Sequence, residues 1–303
     1  MLLVGSMRKT EQHLSVFAGL DTWEDAAILE ALLQSQLSAV QAVKAAFASI
    51  SRASGELTER LREGGRLLYA GAGSSIRQGV VDGIELPATF GLAPERLHFL
   101  VAGSREALFD SRGAAEDDTD AAAREVAALM LSAADTLIAI AASGTTPYAL
   151  AAARAAKAAG ALVIAIVNNA ASPLAASSHH EIFLDSGPEV IAGSTRMAAG
   201  TAQKAALNLL STLTHIRLGA VHDGLMVNVR ADNEKLRERA RGIVMHIAGA
   251  GEASARQALD AAGGEVKLAV LMAAGVQDVE AARTLLTEAG GSLRLALKRL
   301  PGS

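Results

Sequence analysis

Apolar residues recur at helical spacing through Asp25–Ile50 (Ile28, Leu32, Leu33, Leu37, Val40, Val43, Phe47), and Leu57–Leu61 continues the pattern. The spacing predicts a helical N-terminal region that Gly64-Gly65 brings to an end. The rhythm then changes. Arg66–Ala70, Leu97–Val101, Thr136–Ala141, Ala161–Val167 and Glu181–Leu184 are short apolar runs of strand length. Helical stretches lie between them at Thr119–Leu131, which opens beside the acidic cluster Glu116–Asp118, and at Tyr148–Ala159, which Gly160 stops. Strands that alternate with helices predict an α/β fold, a parallel sheet covered on both faces. Met197–Leu218 reads as one long buried helix. After Asn233 the chain becomes dense in charge (Glu234–Arg241), and Ser254–Ala262, Val266–Ala273 and Val279–Ala289 then read as three short helices punctuated by glycine. The pattern divides the chain into N-terminal arm and helices (1–55), a sheet domain (56–240) and a small C-terminal helical domain (241–303).

A length of 303 residues allows one large core with a small accessory domain. Half of the chain is hydrophobic but only 3% is aromatic, so Ala, Leu and Val must fill that core. The formal charge of −4 argues against a nucleic-acid or anionic-membrane partner and leaves local basic residues for a small anion. The chain has no cysteine, which excludes disulfides, thiolate metal sites and cysteine nucleophiles and suits a reducing cytoplasm. The N-terminus lacks a signal-peptide pattern, and no apolar run reaches the roughly 18 residues of a membrane helix. Met1–Ser6 is set aside as a tag scar or an upstream start, with Met7 the candidate beginning.

Two loops carry candidate chemistry. Leu67-Leu-Tyr-Ala-Gly-Ala-Gly-Ser-Ser75 is a strand that runs into Gly-x-Gly, so backbone N–H groups and a following helix N-terminus can face an anion, with Ser74 and Ser75 adding hydroxyls. A dinucleotide fingerprint would need a third glycine where Ile76 stands. A tight turn alone would also account for this loop. Ala141-Ala-Ser-Gly-Thr-Thr146 likewise follows a strand and precedes a helix, with Pro147 suited to its first turn. Ser143 and Thr146 fit helix capping as well as phosphate binding. Farther on, Gly187-Pro-Glu-Val-Ile-Ala-Gly-Ser-Thr-Arg-Met-Ala-Ala-Gly-Thr-Ala-Gln-Lys204 joins an acid, hydroxyls and bases to small residues on a predicted helix. Glu85 lies in an apolar setting before Pro87, and Glu116 in an acidic turn. Singly, each fits a bland structural role; two carboxylates in different environments also supply what an elimination needs.

Arg66–Gly91, the Glu116 segment, Ala142–Tyr148, Gly187–Lys204 and Asp232-Asn-Glu-Lys-Leu236 resemble, in order, the N-acetylmuramic acid 6-phosphate etherases and their glucokinase-regulator relatives. Thr10-Glu11 and the segment around Asp21 resemble the family's N-terminal arm, so the likeness covers nearly the whole chain. It implies a sugar isomerase (SIS) fold: a three-layer αβα sandwich around a five-stranded, flavodoxin-like parallel sheet, with N-terminal helices and a small UBA-like three-helix domain. It implies cleavage of the D-lactyl ether to N-acetylglucosamine 6-phosphate and D-lactate, with no metal and no cofactor. By position, Glu85 becomes the proton donor to lactate and Glu116 the base at sugar carbon 2. Ser74, Ser75, Ser143, Gly144, Thr146, Glu189, Ser194, Arg196 and Lys204 become substrate contacts. A homodimer with sites near the subunit boundary is also implied, Met197–Leu218 and the N-terminal arm being candidate contact surfaces.

The chain departs from the family's pattern. Ser74-Ser-Ile-Arg-Gln-Gly79 stands for Thr-Ser-Gly-Arg-Leu-Gly, and Gly83-Ile-Glu-Leu-Pro-Ala88 for Ala-Ser-Glu-Cys-Pro-Pro. Thr145 replaces an arginine and Ala198 a lysine. Two positive side chains are thus missing, while Arg77, Arg196 and Lys204 remain for an anion. A non-catalytic sugar-phosphate regulator and a sugar-phosphate isomerase are the alternative readings. His179-His180 would diverge on a strand, against a metal site, and His98, His215 and His222 read as structural.

Overall fold

A computed structural model describes residues 8–110, 113–229 and 233–300. Met1–Met7 and Asp232 lie outside the described residues. Five strands, β1 (Leu67–Gly71), β2 (Leu97–Val101), β3 (Thr136–Ala141), β4 (Leu162–Val167) and β5 (His180–Phe183), form one parallel sheet in the order β2-β1-β3-β4-β5. Tyr69 is in register with Phe99 on one side and Ile138 on the other, and Ile138 with Ile164. Every residue of β1, β3 and β4 is buried, which explains their unbroken apolar runs.

Two compact units make up the chain: Met1–Gly83 with Glu95–Ser211, and Ile84–Pro94 with Thr212–Ser303. The first holds the sheet and helices α1 (Asp25–Ala42), α2 (Phe47–Arg62), most of α3 (Gly73–Phe90), α4 (Thr119–Ala128), α5 (Pro147–Ala158), α6 (Pro173–Ala176) and most of α7 (Ala198–Arg217). One sheet face (Leu68, Ala70, Leu137, Ala139, Ala141, Val163, Ala165, Val167) packs on Ala122 and Val126 of α4 and Ala149, Ala152, Ala153 and Ala156 of α5. On the other face Gly79 and Gly83 of α3 lie against Tyr69, Phe99 and Ile140, and α2 covers β4 and β5. The result is the expected three-layer αβα sandwich. Alanine fills one interface, so α5 can approach the sheet closely, as the aromatic-poor composition foretold.

Asp82 pins the second face together. Its buried carboxylate accepts from Tyr69 Oη (2.7 Å), Asn208 Nδ2 (2.6 Å) and Ser211 Oγ (2.9 Å), joining α3 to β1 and α7. The N-terminal helix differs from expectation: a 3-10 turn, Val43–Ala46, separates α1 from α2 and keeps Val43 and Ala46 buried. Pro87 does not end α3, which runs on to Phe90, so Glu85 sits within the helix rather than at its end.

The second unit contains a short hairpin, β6 (Val221–His222) with β7 (Leu225–Met226), and helices α8 (Glu234–Ala248), α9 (Glu252–Ala261), α10 (Val266–Ala273), α11 (Val279–Glu288) and α12 (Leu293–Leu297). The three predicted helices are α9 to α11. The charged helix α8 packs with them through Ala240, Ile243 and Val244, and α12 adds Leu293 and Ala296 to the same core. Within this unit Phe90 stacks on His215 with ring centroids 4.6 Å apart. Two cavities of about 510 and 430 Å³ meet at Gly263 and Gly264, and none of the candidate site residues lines either.

Candidate active site

The strand order places the topological switch point between β1 and β3, whose neighbours' connections leave in opposite directions. In open α/β sheets ligands bind outside the carboxyl ends of the strands at that point. Both candidate loops start there. Gly71 pairs with Ile140, so the loop that leads into α3 and the loop that leads into α5 emerge side by side.

The first loop turns directly into α3, presenting Ser74 and Ser75 at its first turn, where N–H groups have no partner within the helix. Neither hydroxyl has a hydrogen-bond partner among the described residues, and Ser75 is buried. Ile76 is 1% exposed, so the position where a dinucleotide site would have glycine is a core position here. In the second loop Ser143 Oγ accepts from Thr145 N (3.2 Å) and lies 3.2 Å from Thr145 Oγ1. Thr145 therefore closes the loop on itself. Thr146 is the N-cap of α5 by position, yet its side chain makes no capping bond, which leaves the hydroxyl open. Gly144 takes φ +66°, and a Cβ there would fall 2.3 Å from Ser172, so this turn needs glycine.

Glu116 comes to the first loop from the connection after β2. It sits in a 3-10 turn, Gly113–Asp117, packed on α5. A methyl group placed on Gly73 would lie 3.0 Å from Glu116 Oε1, so the carboxylate stands over the mouth of α3. Burial and then neighbouring Asp117 push its pKa above the usual 4.5. Glu85 lies on the stretch of α3 that groups with the second unit; it is exposed and has no ion pair or side-chain hydrogen bond among the described residues.

The segment Gly187–Lys204 divides by role. Glu189, expected among the substrate contacts, is 1% exposed, and both its oxygens are engaged by α7: Ala198 N at 2.9 Å and Ala199 N at 3.0 Å. Burial raises its pKa while these two N–H groups oppose the shift. It seats the N-terminus of α7. Ala198 is fully buried there. Ser194 is half-buried, while Arg196 and Lys204 are exposed and form no ion pair among the described residues. Arg77 instead holds the segment after β2, donating to the carbonyls of Leu108 (3.1 Å) and Ala107 (3.2 Å).

Sequence reasoning missed Asn168 and Asn169, two amides at the end of the all-apolar β4. Asn168 Nδ2 donates to Leu184 O (3.2 Å) and Ser186 Oγ (3.1 Å), and its Oδ1 accepts from Gln203 Nε2 (2.9 Å). Asn169 Nδ2 donates to Ala142 O (2.9 Å) at the start of the second loop. In the histidine pair, His179 Nδ1 accepts from Val163 N (2.9 Å), and His180 Nε2 lies 3.0 Å from Glu56. Among the described residues no group of three or more His, Cys, Asp or Glu is arranged to hold a metal, and no helix is long and apolar enough to cross a membrane.

This sheet order with its pair of hydroxyl-bearing loops defines a SIS-domain protein. The SIS domain profile matches residues 115–213, and that of the glucokinase regulatory protein N-terminal SIS domain matches residues 49–157. An N-acetylmuramic acid 6-phosphate etherase of Deinococcus radiodurans is 47% identical over 291 residues, covering 96% of this chain and 95% of the relative. Those of Rubrobacter xylanophilus (42% identical; 95% of each chain) and Gloeobacter violaceus (41%; 97% of this chain, 96% of the relative) match over similar spans. The chain belongs to the N-acetylmuramic acid 6-phosphate etherase family.

Proposed function

We propose that this protein cleaves the D-lactyl ether of N-acetylmuramic acid 6-phosphate by elimination and rehydration, in the cytoplasm. The observation that carries the reading is Glu116: a carboxylate of raised pKa over the first phosphate loop, at the switch point of a SIS sheet, in a chain of this family. Hydroxyls of Ser74, Ser75, Ser143 and Thr146 hold the phosphoryl group, on a turn that Gly144 closes by donating its N–H to Ala141 O. Arg196 and Lys204 supply positive charge, and Ser194 a further hydroxyl.

The open-chain sugar carries an aldehyde that acidifies its C2–H. Glu116 takes that proton, and the electron pair forms the C2–C3 double bond as the C3–O bond to lactate breaks. Glu85 gives its proton to the departing oxygen. Water then adds at C3 and a proton returns to C2, giving N-acetylglucosamine 6-phosphate. Each side chain thus changes protonation state once in each half-reaction.

The active species in this reading is a homodimer. Its support is α1, where Leu29, Leu33, Leu37 and Val40 make an exposed stripe that the single chain leaves uncovered. The test of function is release of D-lactate from N-acetylmuramic acid 6-phosphate by the purified protein. Turnover by wild type, with loss of about 10²- to 10⁴-fold in Glu85→Gln, is expected. A folded wild-type protein that releases no lactate would remove the substrate assignment; an unimpaired Glu85→Gln would remove Glu85 from the mechanism.

A further inference from the structure

Thr10 is fully buried, the only buried residue between positions 8 and 38. Its carbonyl accepts from Gly193 N at 2.9 Å, inside the segment that precedes α7. Its hydroxyl accepts from Asn169 Nδ2 at 3.2 Å. The same amide nitrogen donates to Ala142 O at 2.9 Å, the first residue of the second phosphate loop. A continuous chain of hydrogen bonds therefore runs from the second loop through Asn169 and Thr10 to Gly193.

The neighbours of Thr10 clamp the same place. Lys9 Nζ pairs with Asp185 at 2.8 Å, just beyond β5. Glu11 lies so close to Gly193 that a Cβ on that glycine would fall 2.9 Å from Glu11 Oε2. Gly193 also adopts φ +77°, so the backbone there is shaped for this approach.

We propose that the N-terminal arm is a working part of the site and that Thr10 is a positioning residue. It fixes the second phosphate loop and the Gly187–Arg196 segment relative to each other, and so sets where the phosphoryl group and the sugar sit. This rests on the etherase reading of the site. An arm that merely covered the surface would bury apolar carbon. This one spends a buried hydroxyl and a backbone carbonyl on two separate site segments.

Thr10→Val keeps the shape of the side chain and the bond to Gly193 but removes one of the two acceptors of Asn169 Nδ2, leaving only Ala142 O. Misplacing a binding group by about 1 Å can cost about a hundredfold in rate. For Thr10→Val the expected result is a rise of about tenfold or more in KM for N-acetylmuramic acid 6-phosphate, exceeding any fall in kcat. Thr10→Ser, which restores the acceptor, should return KM to near wild type. Wild-type kinetics in Thr10→Val, or equal defects in Thr10→Val and Thr10→Ser, would overturn the proposal.

Hydrogen exchange on the wild-type chain supplies a readout without turnover. Adding inorganic phosphate should slow exchange in residues 8–12, 142–146 and 190–196 together. Protection of 142–146 without 8–12 would overturn the proposal even if Thr10→Val fails to fold. Should wild type release no lactate while the three segments respond together, the substrate assignment falls and the bracket stands.

Discussion

Glu116 shows how a side chain acquires chemistry from its surroundings. Removal from water disfavours its ionised form, and the like charge of Asp117 adds to that. A base acts only when ionised, so a raised pKa means that activity disappears at a higher pH on acidification than an ordinary glutamate would allow. The acid limb of kcat/KM for lactate release should have its midpoint above 4.5. Initial rates between pH 4 and 8 would check this, and Glu116→Gln should lower the rate about 10²- to 10⁴-fold across the range. The proximity of Glu116 to the loop was not legible in the sequence, because 43 residues separate it from Gly73 and only the fold closes that gap. Glu189 teaches the converse. Its residue type suits a sugar contact, but two backbone N–H groups claim it, and nothing in its local sequence distinguishes a cap that lies nine residues ahead of its partner.

Elements were easier to read than side-chain partners. Central strands β1, β3 and β4 are buried on both faces, so an uninterrupted apolar run marks each to within a residue of its observed ends. Pro87 lacks an N–H and crowds the preceding turn, but α3 absorbs it three residues from its end. The starts of β1 and β3 are tied by an interaction that no periodicity reveals. Asp135 accepts from the backbone N–H and guanidinium of Arg66 and from the N–H and hydroxyl of Ser132. Burial alone would raise the pKa of Asp135, yet these bonds outweigh it and hold the carboxyl well below its usual 3.8. A depressed carboxyl contributes stability that is complete above its unfolded value, near 3.9, and is lost as pH falls toward its folded value. Asp135→Asn should therefore lower Tm clearly at pH 7, and the gap from wild type should narrow progressively below pH 4, as calorimetry would record.

At the scale of the molecule, the apolar spacing of the N-terminal region was legible but its destination was not. Read alone, the spacing from Ile28 to Phe47 predicts a helix with an apolar face and does not say what covers that face. In the structure Ala39 is the only buried residue of α1, and Leu29, Leu33, Leu37 and Val40 are 65%, 52%, 46% and 45% exposed. Periodicity reports that a face avoids water, not whose surface covers it. In the proposed dimer a second copy does, and Leu33→Glu combined with Leu37→Glu should shift the protein to monomer in sedimentation velocity. A wild-type sedimentation coefficient in that variant would direct the search for the interface elsewhere. The alanine-on-alanine seam between α5 and the sheet has a consequence for how this enzyme tolerates change. Ala149, Ala152, Ala153 and Ala156 are fully buried, and interiors packed as densely as crystals resist added methylenes. An enlarged side chain must therefore displace the whole helix, and Thr146 and Pro147 at its tip travel with it. Drift in this core, at a typical cost of about 1–3 kcal/mol, would be felt at the Thr146 turn as well as in the melting curve.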